Sequence, residues 1–233
     1  MQNLVVLTGA GISAESGLST FRDSDGLWEN YRIQDVATPR AWVKDPQLVL
    51  DFYNMRRKEV TKAQPNIAHH ILAALQNDFN VRIITQNIDD LHERAGSKEV
   101  LHLHGEIFKM RSSKDEDHIY AIEGDICLGN TAVDGAQLRP HIVWFEEPVP
   151  MMEDACRIVK DAHIFVIIGT SLAVYPAAGL IHYAPGYIPK FIVDKCMPST
   201  VGVRITAIEK PATEGVAELQ KKLLEMKYNS NVQ

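Results

Sequence analysis

Residues 81–92 read VRIITQNIDDLH. The run begins like a buried strand, but it continues into the polar residues Thr85, Gln86 and Asn87 where a glycine or proline turn would be ordinary. Ligands bind outside the carboxyl ends of the strands in a parallel sheet. The stretch therefore predicts a strand of a parallel sheet whose end carries a ligand site.

Apolar runs typical of strands recur on both sides of this stretch, at residues 4–7, 100–103, 164–168 and 191–193. Helical patterns lie between most of them. Continuous apolar strands separated by helices indicate an α/β fold, with a parallel sheet covered by helices on both faces. We expect a single domain over residues 1–233. Small-module insertions are expected at about 26–70 and 107–138, since residues 110–139 are polar and lack a helical period.

The composition excludes several classes of protein. A net charge of −6, with no run of like charges, argues against tight nucleic-acid binding, because such binding needs a basic face. The opening MQNLVVLTGAG has neither the basic segment nor the apolar length of a signal peptide or membrane anchor. Three widely spaced cysteines argue against a disulfide framework and favour a reducing compartment. We expect a cytoplasmic monomer that binds neither nucleic acid nor membrane.

Two further strands end in small or polar residues, at 8–11 (TGAG) and 169–171 (GTS), so three such ends should share one crevice. The segment 9–13 (GAGIS) is expected to open a helix whose N-terminus could hold a diphosphate. The alternative is a tight turn without a ligand. A nicotinamide dehydrogenase fits poorly, since the third glycine of its pattern is replaced by Ala14 and no acidic residue ends a second strand at the right distance.

Five motifs in order resemble the sirtuins, which are NAD-consuming protein-lysine deacylases on a Rossmann-like fold. They are GAGISAESGLSTFR (9–22), TQNIDDLH (85–92), LHGE (103–106), RPHIVWF (139–145) and GTSLAVYPAAG (169–179). The resemblance covers nearly the whole chain. It implies that the acyl oxygen of a modified lysine attacks C1′ of the NAD ribose, and that nicotinamide, free lysine and O-acyl-ADP-ribose are released.

The resemblance also implies roles for matching residues. His104 and Asn87 would be catalytic. The implied NAD-binding residues are Gly9, Ala10, Gly11, Ser13, Phe21, Arg22, Gln86, Asn87, Ile88, Asp89, Gly169, Thr170, Ser171, Lys195 and Ala212. Val143, Trp144 and Phe145 would flank the acyl-lysine channel, with the substrate backbone added beside them as a strand. These last three could equally be core residues, and both can be true.

His102 and His104 lie on one face of a strand by alternation. An isolated histidine is more often structural, and we interpret His102 in that way. His104 falls in the LHGE motif, which implies the general base. An imidazole that titrates near neutrality suits proton removal from a ribose hydroxyl.

A helix beginning at Pro46 would place Val49, Tyr53, Arg56 and Val60 on one inward stripe. An arginine there is ordinarily explained by snorkelling or a surface ion pair. One sirtuin class, however, has a Tyr-x-x-Arg pair at this place that reads the carboxylate of succinyl-, malonyl- or glutaryl-lysine. The resemblance thus implies that Tyr53 and Arg56 select an acidic acyl group.

Three departures from the family pattern stand out. Most sirtuins hold a structural zinc with two cysteine pairs after the catalytic histidine, but here only Cys127 and His118 are plausible ligands. Zinc requires four ligands, so we predict no zinc. Glu146 replaces a usual glycine, and Lys195 replaces an asparagine that often touches the adenosine.

Two alternatives to a deacylase stay open from the sequence. One is a mono-ADP-ribosyltransferase, which would leave ADP-ribose on a protein. The other is a non-enzymatic sensor of NAD or acyl-peptides, against which His104 and the complete 86–89 motif argue.

Overall fold

The structure is a computed structural model that describes residues 1–19, 27–28, 31–122, 124–198 and 205–231. Its strands are β1 (Asn3–Thr8), β2 (Leu27–Trp28), β3 (Tyr31–Arg32), β4 (Asn80–Thr85), β5 (Val100–His102), β6 (Gly105–Ser112), β7 (Ile119–Ala121), β8 (Leu138–Ile142), β9 (Ile164–Ile168), β10 (Lys190–Asp194) and β11 (Thr206–Glu209). Its α-helices are α1 (Ile33–Val36), α2 (Pro39–Lys44), α3 (Pro46–Lys62), α4 (Ile67–Ala74), α5 (Leu91–Arg94), α6 (Met152–Lys160) and α7 (Ala212–Asn231).

Six strands form one sheet in the order β11-β10-β9-β1-β4-β5, and every neighbouring pair is parallel. Thr8 at the end of β1 lies in register with Thr85 of β4 and with Ile168 of β9. The three central strands therefore end at the same level. Their following loops share one edge of the sheet.

Side chains of β1 alternate between two apolar cores. Leu4 and Val6 pack with α4 and α7, whereas Val5 and Leu7 pack with α6 and the 3-10 helix Ala177–Tyr183 on the opposite face. Both faces of the sheet are thus covered, and the predicted Rossmann-like fold is confirmed.

A smaller unit lies beside the carboxyl ends of the central strands. It contains the antiparallel sheet β7-β6-β8 and helices α1 to α3, with Val49, Phe52, Tyr53 and Trp144 in a separate core. Helix α3 begins as predicted, because the Asp45 side chain accepts a hydrogen bond from Leu48 N at 3.0 Å. The assignment of a single domain with two insertions stays a prediction.

The loop after β1 differs from the sequence prediction. Residues 10–16 form two single-turn 3-10 helices, Ala10–Ile12 and Ala14–Ser16, instead of opening an α-helix. The backbone of the loop is tied to the end of β9, where Gly11 N donates to Gly169 O at 2.8 Å. A Cβ on Gly11 would lie 2.6 Å from Gly169 Cα, so this contact requires glycine. Residues 10–16 therefore offer no α-helix N-terminus to a diphosphate.

Two buried histidines beneath this edge predict acid sensitivity. The rings of His69 and His92 lie 4.9 Å apart and neither residue is exposed to solvent. Burial lowers the pKa of His69 to about 4 and the pKa of His92 well below its ordinary 6.5. The unfolded chain therefore binds more protons below pH 6.5, so stability is complete above that pH and is lost as pH falls towards the folded-state pKa.

We expect the free energy of unfolding, measured in urea, to fall by about 2 kcal/mol between pH 7 and pH 5 through His69 alone. A His69→Asn, His92→Gln double variant serves as the control and should show a flatter profile. An unchanged free energy over this interval in the unmodified protein would contradict the assignment.

Candidate active site

A cavity of about 450 Å³ lies at the carboxyl ends of β1, β4, β9 and β10, next to the smaller unit. It is lined by every predicted site residue that the structure describes: Gly9, Ala10, Gly11, Ser13, Tyr53, Arg56, Gln86, Asn87, Ile88, Asp89, His104, Val143, Trp144, Phe145, Gly169, Thr170, Ser171, Lys195 and Ala212. Phe21 and Arg22, which the resemblance implies as NAD-binding residues, lie outside the described residues.

A relay of side chains fixes the loop after β4. Asn87 Nδ2 donates to Ser13 Oγ at 3.1 Å, and Ser13 Oγ donates to Asp89 Oδ2 at 3.0 Å. The other oxygen of Asp89 accepts from Leu91 N. Burial raises the pKa of Asp89, and these two hydrogen bonds to its carboxylate offset part of that rise. The relay holds an amide and a carboxylate side by side on the cavity wall.

The backbone of the same loop is anchored to the neighbouring strands. Gln86 N donates to Thr8 O at 2.9 Å, while its side-chain amide donates to Thr170 Oγ1 at 3.1 Å. Asn87 N donates to Thr85 Oγ1 at 3.0 Å. Polar residues replace a simple turn after β4 because each has a specific partner on β1, on β4 itself or on the loop after β9.

The position of His104 is fixed by a hydrogen bond from its ring and by the backbone of the following residue, Gly105. Its Nδ1 lies 2.9 Å from Gln86 O, and since a carbonyl only accepts, Nδ1 carries the proton. Nε2 of the neutral ring is then the atom with a lone pair. Gly105 has φ of +81°, and a Cβ there would lie 2.0 Å from His141 O, so only glycine allows β8 this close.

Burial governs the charge of His104. It lowers the pKa of the imidazole below its ordinary 6.5, against the smaller opposing effect of the Gln86 hydrogen bond. The ring is therefore neutral at neutral pH, which is the form a general base needs.

Tyr53 and Arg56 lie one turn apart on α3 and both are buried at the cavity wall. Arg56 Nη1 pairs with Glu59 Oε2 at 2.8 Å, and the Glu59 side chain is 38% exposed. Burial raises the pKa of Tyr53 well above its ordinary 10, so the hydroxyl stays protonated and can donate. Arg57 is also buried but binds the carbonyls of Ile107 and Gly124, which tie α3 to the small sheet.

The aromatic wall of the cavity is braced by an ion pair that the sequence did not reveal. Arg139 Nη1 binds Glu147 Oε1 at 2.8 Å, and its Cζ lies 3.3 Å from the centre of the Trp144 ring. Glu147 Oε2 also accepts from Trp144 N at 2.7 Å. Phe145 N donates to Ala37 O, which fixes the segment to the smaller unit.

Glu146, the predicted departure from the family pattern, has φ of +74°. This left-handed conformation favours glycine, as the family's usual residue would suggest. The Glu146 carboxylate pairs with Arg40 at the mouth of the cavity. The third departure, Lys195, follows β10 and is also exposed on the cavity wall.

The segment expected to lack zinc is held together by hydrogen bonds and apolar contacts. Asn54 exchanges two hydrogen bonds with the backbone of Ile126, and Ser112 binds Asp134 at 2.6 Å. Cys127 is exposed, and His118 Nδ1 lies 3.1 Å from Asp115 Oδ2. Within the described part of the chain, no group of three or more His, Cys, Asp or Glu side chains could hold a metal ion.

We expect the purified protein to contain well below one zinc per chain and to keep its thermal midpoint in a strong chelator. The reason is the ligand count, since a tetrahedral site needs four ligands and a structural zinc would contribute directly to folding. Elemental analysis that finds about one zinc per chain, with a midpoint lowered by chelator, would contradict this prediction.

A further set of residues lines the cavity without having been predicted from the sequence as site residues: Leu18, Ser19, Ala37, Val60, Ile142, Glu147, Val149, Val174, Tyr175, Pro176, Val193, Asp194 and Cys196. Several of them directly precede or follow a predicted site residue in the sequence, and this adjacency could have identified them. Glu147 had no such signal, because its role depends on Arg139 across the loop.

The chemistry of the donor set fits NAD. Two side-chain amides and one carboxylate, from Gln86, Asn87 and Asp89, suit ribose hydroxyls and a carboxamide. Ile88 supplies an apolar contact between them, as a planar nicotinamide ring requires. The glycine-rich loops after β1 and β9 lie in close backbone contact with each other, and both line the cavity where a diphosphate could lie beside them.

Comparisons with known proteins agree with this geometry. The Sir2 family model matches residues 9–176. A protein named NAD-dependent protein deacylase from Bacteroides thetaiotaomicron is 52% identical over 231 residues, which span 96% of this chain and 99% of the relative. A Helicobacter pylori protein of the same name is 51% identical over 227 residues, which span 97% and 99% of the two chains.

Solved structures give the same result. A Sir2 homologue in complex with NAD is 37% identical with a TM-score of 0.86, and the match covers 97% of this chain and 90% of that one. A Sir2 complex with a p53 peptide and NAD+ is 28% identical with a TM-score of 0.77, covering 94% and 92%. The fold, the cavity and the sequence matches lead to one conclusion: the chain belongs to the Sir2 family.

Proposed function

We propose that this NAD-dependent protein deacylase prefers lysines whose acyl group ends in a carboxylate, namely succinyl, malonyl or glutaryl. It would retain some deacetylase activity, because acetyl-lysine uses the same channel. The relatives that share this chain's full length carry the name NAD-dependent protein deacylase, which does not specify the acyl group.

The observation that carries the acyl preference is a buried guanidinium on the cavity wall. Arg56 is 5% exposed and lies beside the apolar Val60 and the Tyr53 ring, so its charge has lost most of its water. A guanidinium offers five N–H donors in a planar fork, a geometry that matches the two oxygens of a carboxylate. A second carboxylate, brought by the substrate, would find both a cation and the protonated Tyr53 hydroxyl.

Val143, Trp144 and Phe145 support the role of acyl-lysine channel. Trp144 is buried at the cavity wall, whereas Phe145 is 37% exposed at its mouth. This gradient suits a lysine chain that enters from solvent and ends inside. The braced loop that follows would present a firm edge to an extended substrate backbone.

His104 would remove a proton from a ribose hydroxyl through Nε2, since Nδ1–H is committed to Gln86 O. NAD supplies the electrophilic C1′ and that hydroxyl, and it is consumed as a co-substrate. Asn87 and Asp89, fixed through Ser13, would hold the ribose in place for the transfer. The carbonyl contact keeps the His104 tautomer constant throughout.

A product analysis tests this function. Incubation of the protein with NAD labelled in the adenosine and a succinyl-lysine peptide should release nicotinamide and labelled O-succinyl-ADP-ribose in equal amounts. Label retained on protein would favour the mono-ADP-ribosyltransferase alternative. Binding without release of nicotinamide would favour a sensor.

The partners and the cellular location expected from the sequence are part of the same proposal. The substrates would be acyl-lysine proteins or peptides, met by a monomer in the cytoplasm. In the part of the chain that the structure describes, no helix has the length and apolar character needed to cross a membrane.

A further inference from the structure

His102 contacts two groups that can only accept hydrogen bonds. Its Nδ1 lies 3.0 Å from Asn87 O, and its Nε2 lies 2.8 Å from Glu93 Oε1. The side chain of His102 is 8% exposed, whereas that of Glu93 is 41% exposed. His104, two residues on, makes the same carbonyl contact with Gln86 but has no such carboxylate on its other nitrogen among the hydrogen bonds of the described residues.

These contacts determine how many protons each ring carries. A carbonyl oxygen and an ionised carboxylate both lack a proton to give, so each ring nitrogen of His102 must donate. A histidine that donates from both nitrogens is an imidazolium. His104 needs only one proton for its carbonyl contact and is a neutral base. Two histidines only two residues apart are thus held in different charge states: His102 is a cation and His104 is neutral.

The surroundings of His102 agree with a cation. Burial alone would lower the pKa of His102, but the hydrogen bond and charge of Glu93 outweigh it and raise the pKa above the ordinary 6.5, with smaller help from Asn87 O and Glu106. The pKa of Glu93 is lowered in turn, because the bond and charge of His102 exceed the effect of its burial. Burial raises the pKa of Asp89, and the positive charge of His102 offsets part of that rise by stabilising the carboxylate.

Other titratable groups face the pair. His92, on the same helix as Glu93, is kept neutral chiefly by burial, and a positive charge on a neighbouring histidine such as His102 lowers its pKa further. Lys109 of β6 is close enough to favour the ionised form of Glu93, and it is itself paired with Glu106 at 2.7 Å. The charges of Glu93 and Glu106 therefore favour the protonated ring, and among the described residues no hydrogen bond joins the His102 ring to a cation.

We propose that His102, held as an imidazolium by Glu93, is a positioning residue that fixes the Asn87 peptide and thereby orients the Asn87 side chain towards the ribose. This inference rests on the proposed function for the role of Asn87. The mechanism is a charge-assisted hydrogen bond to Asn87 O, which is stronger than a neutral one. When His102 loses its proton it keeps one N–H and can satisfy only one of its two acceptors. The hold on Asn87 then weakens.

The charge state is tested by NMR of the full-length chain without ligands. We expect ¹⁵N-labelled protein at pH 7.5 to show two ring N–H protons for His102, assigned by their loss in His102→Gln, and an imidazolium pattern of nitrogen shifts. Glu93→Gln should shift the titration of this ring down towards the ordinary histidine range. A neutral His102 ring in the unmodified protein at pH 7.5 would overturn the inference.

The effect of the His102 charge on Asn87 is tested by NAD binding and by kinetics. Removing a charge-assisted contact should lower kcat/KM for NAD by roughly 10- to 100-fold in His102→Gln and by a similar factor in Glu93→Gln. The double variant should lose little more than either single variant, because both act through one contact. The alkaline limb of the pH profile should move to lower pH in Glu93→Gln, which a purely structural role would not cause.

Calorimetric NAD affinity separates this inference from the proposed function, since it needs no acyl substrate. Thermal midpoints close to that of the unmodified protein would confirm that the variants fold, and Glu93→Gln, at a half-exposed site, is the safer of the two. If Glu93→Gln leaves both NAD affinity and the alkaline limb unchanged, His102 does not position Asn87, whatever the acyl preference proves to be.

Discussion

The His104→Ala variant is expected to lose a factor of about 10² to 10⁴ in kcat, because general-base removal typically costs that much. NAD binding should change little. The deleted ring donates one hydrogen bond to Gln86 O, while Gln86 keeps its bonds to Thr8 and Thr170. Single-turnover measurements of O-acyl-ADP-ribose formation, with calorimetric NAD affinity, check both parts.

His118→Ala is the matched control for this variant. His118 lies on the small sheet's loop, 40% exposed beside Asp115, and does not line the cavity. Its loss should leave kcat unchanged. If His104→Ala kept more than about half of the original kcat, the general base would have to be sought elsewhere.

The Arg56→Met variant is expected to lose desuccinylation selectively. Only the succinyl substrate brings a carboxylate that must leave water, and without Arg56 that charge meets an apolar wall with no guanidinium beside it. A charge-assisted hydrogen bond contributes about 1.5–3 kcal/mol, so kcat/KM for the succinyl peptide should fall roughly 10- to 150-fold. Deacetylation should change little, since both substrates share the channel, NAD and His104.

Three further variants sharpen this result. Tyr53→Phe should lose less than Arg56→Met, because it removes one hydroxyl and keeps the ring. Arg56→Lys keeps the charge without the planar fork and should fall between them. Arg32→Met, which removes a 71% exposed arginine paired with Asp35 at the surface, should have no effect. Equal losses on both peptides in Arg56→Met would assign Arg56 to the fold.

Much of the fold could be predicted because parallel strands buried on both faces are continuous apolar runs. Ile164–Ile168 is buried throughout and was readable for that reason. The edge strand Thr206–Glu209 was missed, since only Ile208 of its four residues is buried and the segment therefore has no continuous apolar run.

The loop after β1 shows why a local motif can mislead. The glycines of residues 9–11 resemble the start of a helix that binds a diphosphate. In the structure they permit a close approach to Gly169, a residue far along the chain. No local pattern contains that distant partner.

The sequence indicated which residues line the cavity better than it indicated the contacts that those residues make. Motifs and helical spacing identified Asn87, His104 and Arg56, all of which line the cavity. Alternation placed His102 and His104 on one face without revealing their partners. His102 contacts a carbonyl and a carboxylate, whereas His104 contacts a carbonyl alone. The charge state of a histidine depends on those partners, and these come from α5 and from the loop after β4.

The most direct test of the central claim is one pair of peptides, identical except that the lysine carries succinyl or acetyl, assayed with saturating NAD. We expect kcat/KM for the succinyl peptide to be higher by roughly tenfold or more, as a buried charge-assisted contact implies, and no turnover of either peptide without NAD. An acetyl peptide turned over as well as or better than the succinyl peptide would contradict this expectation.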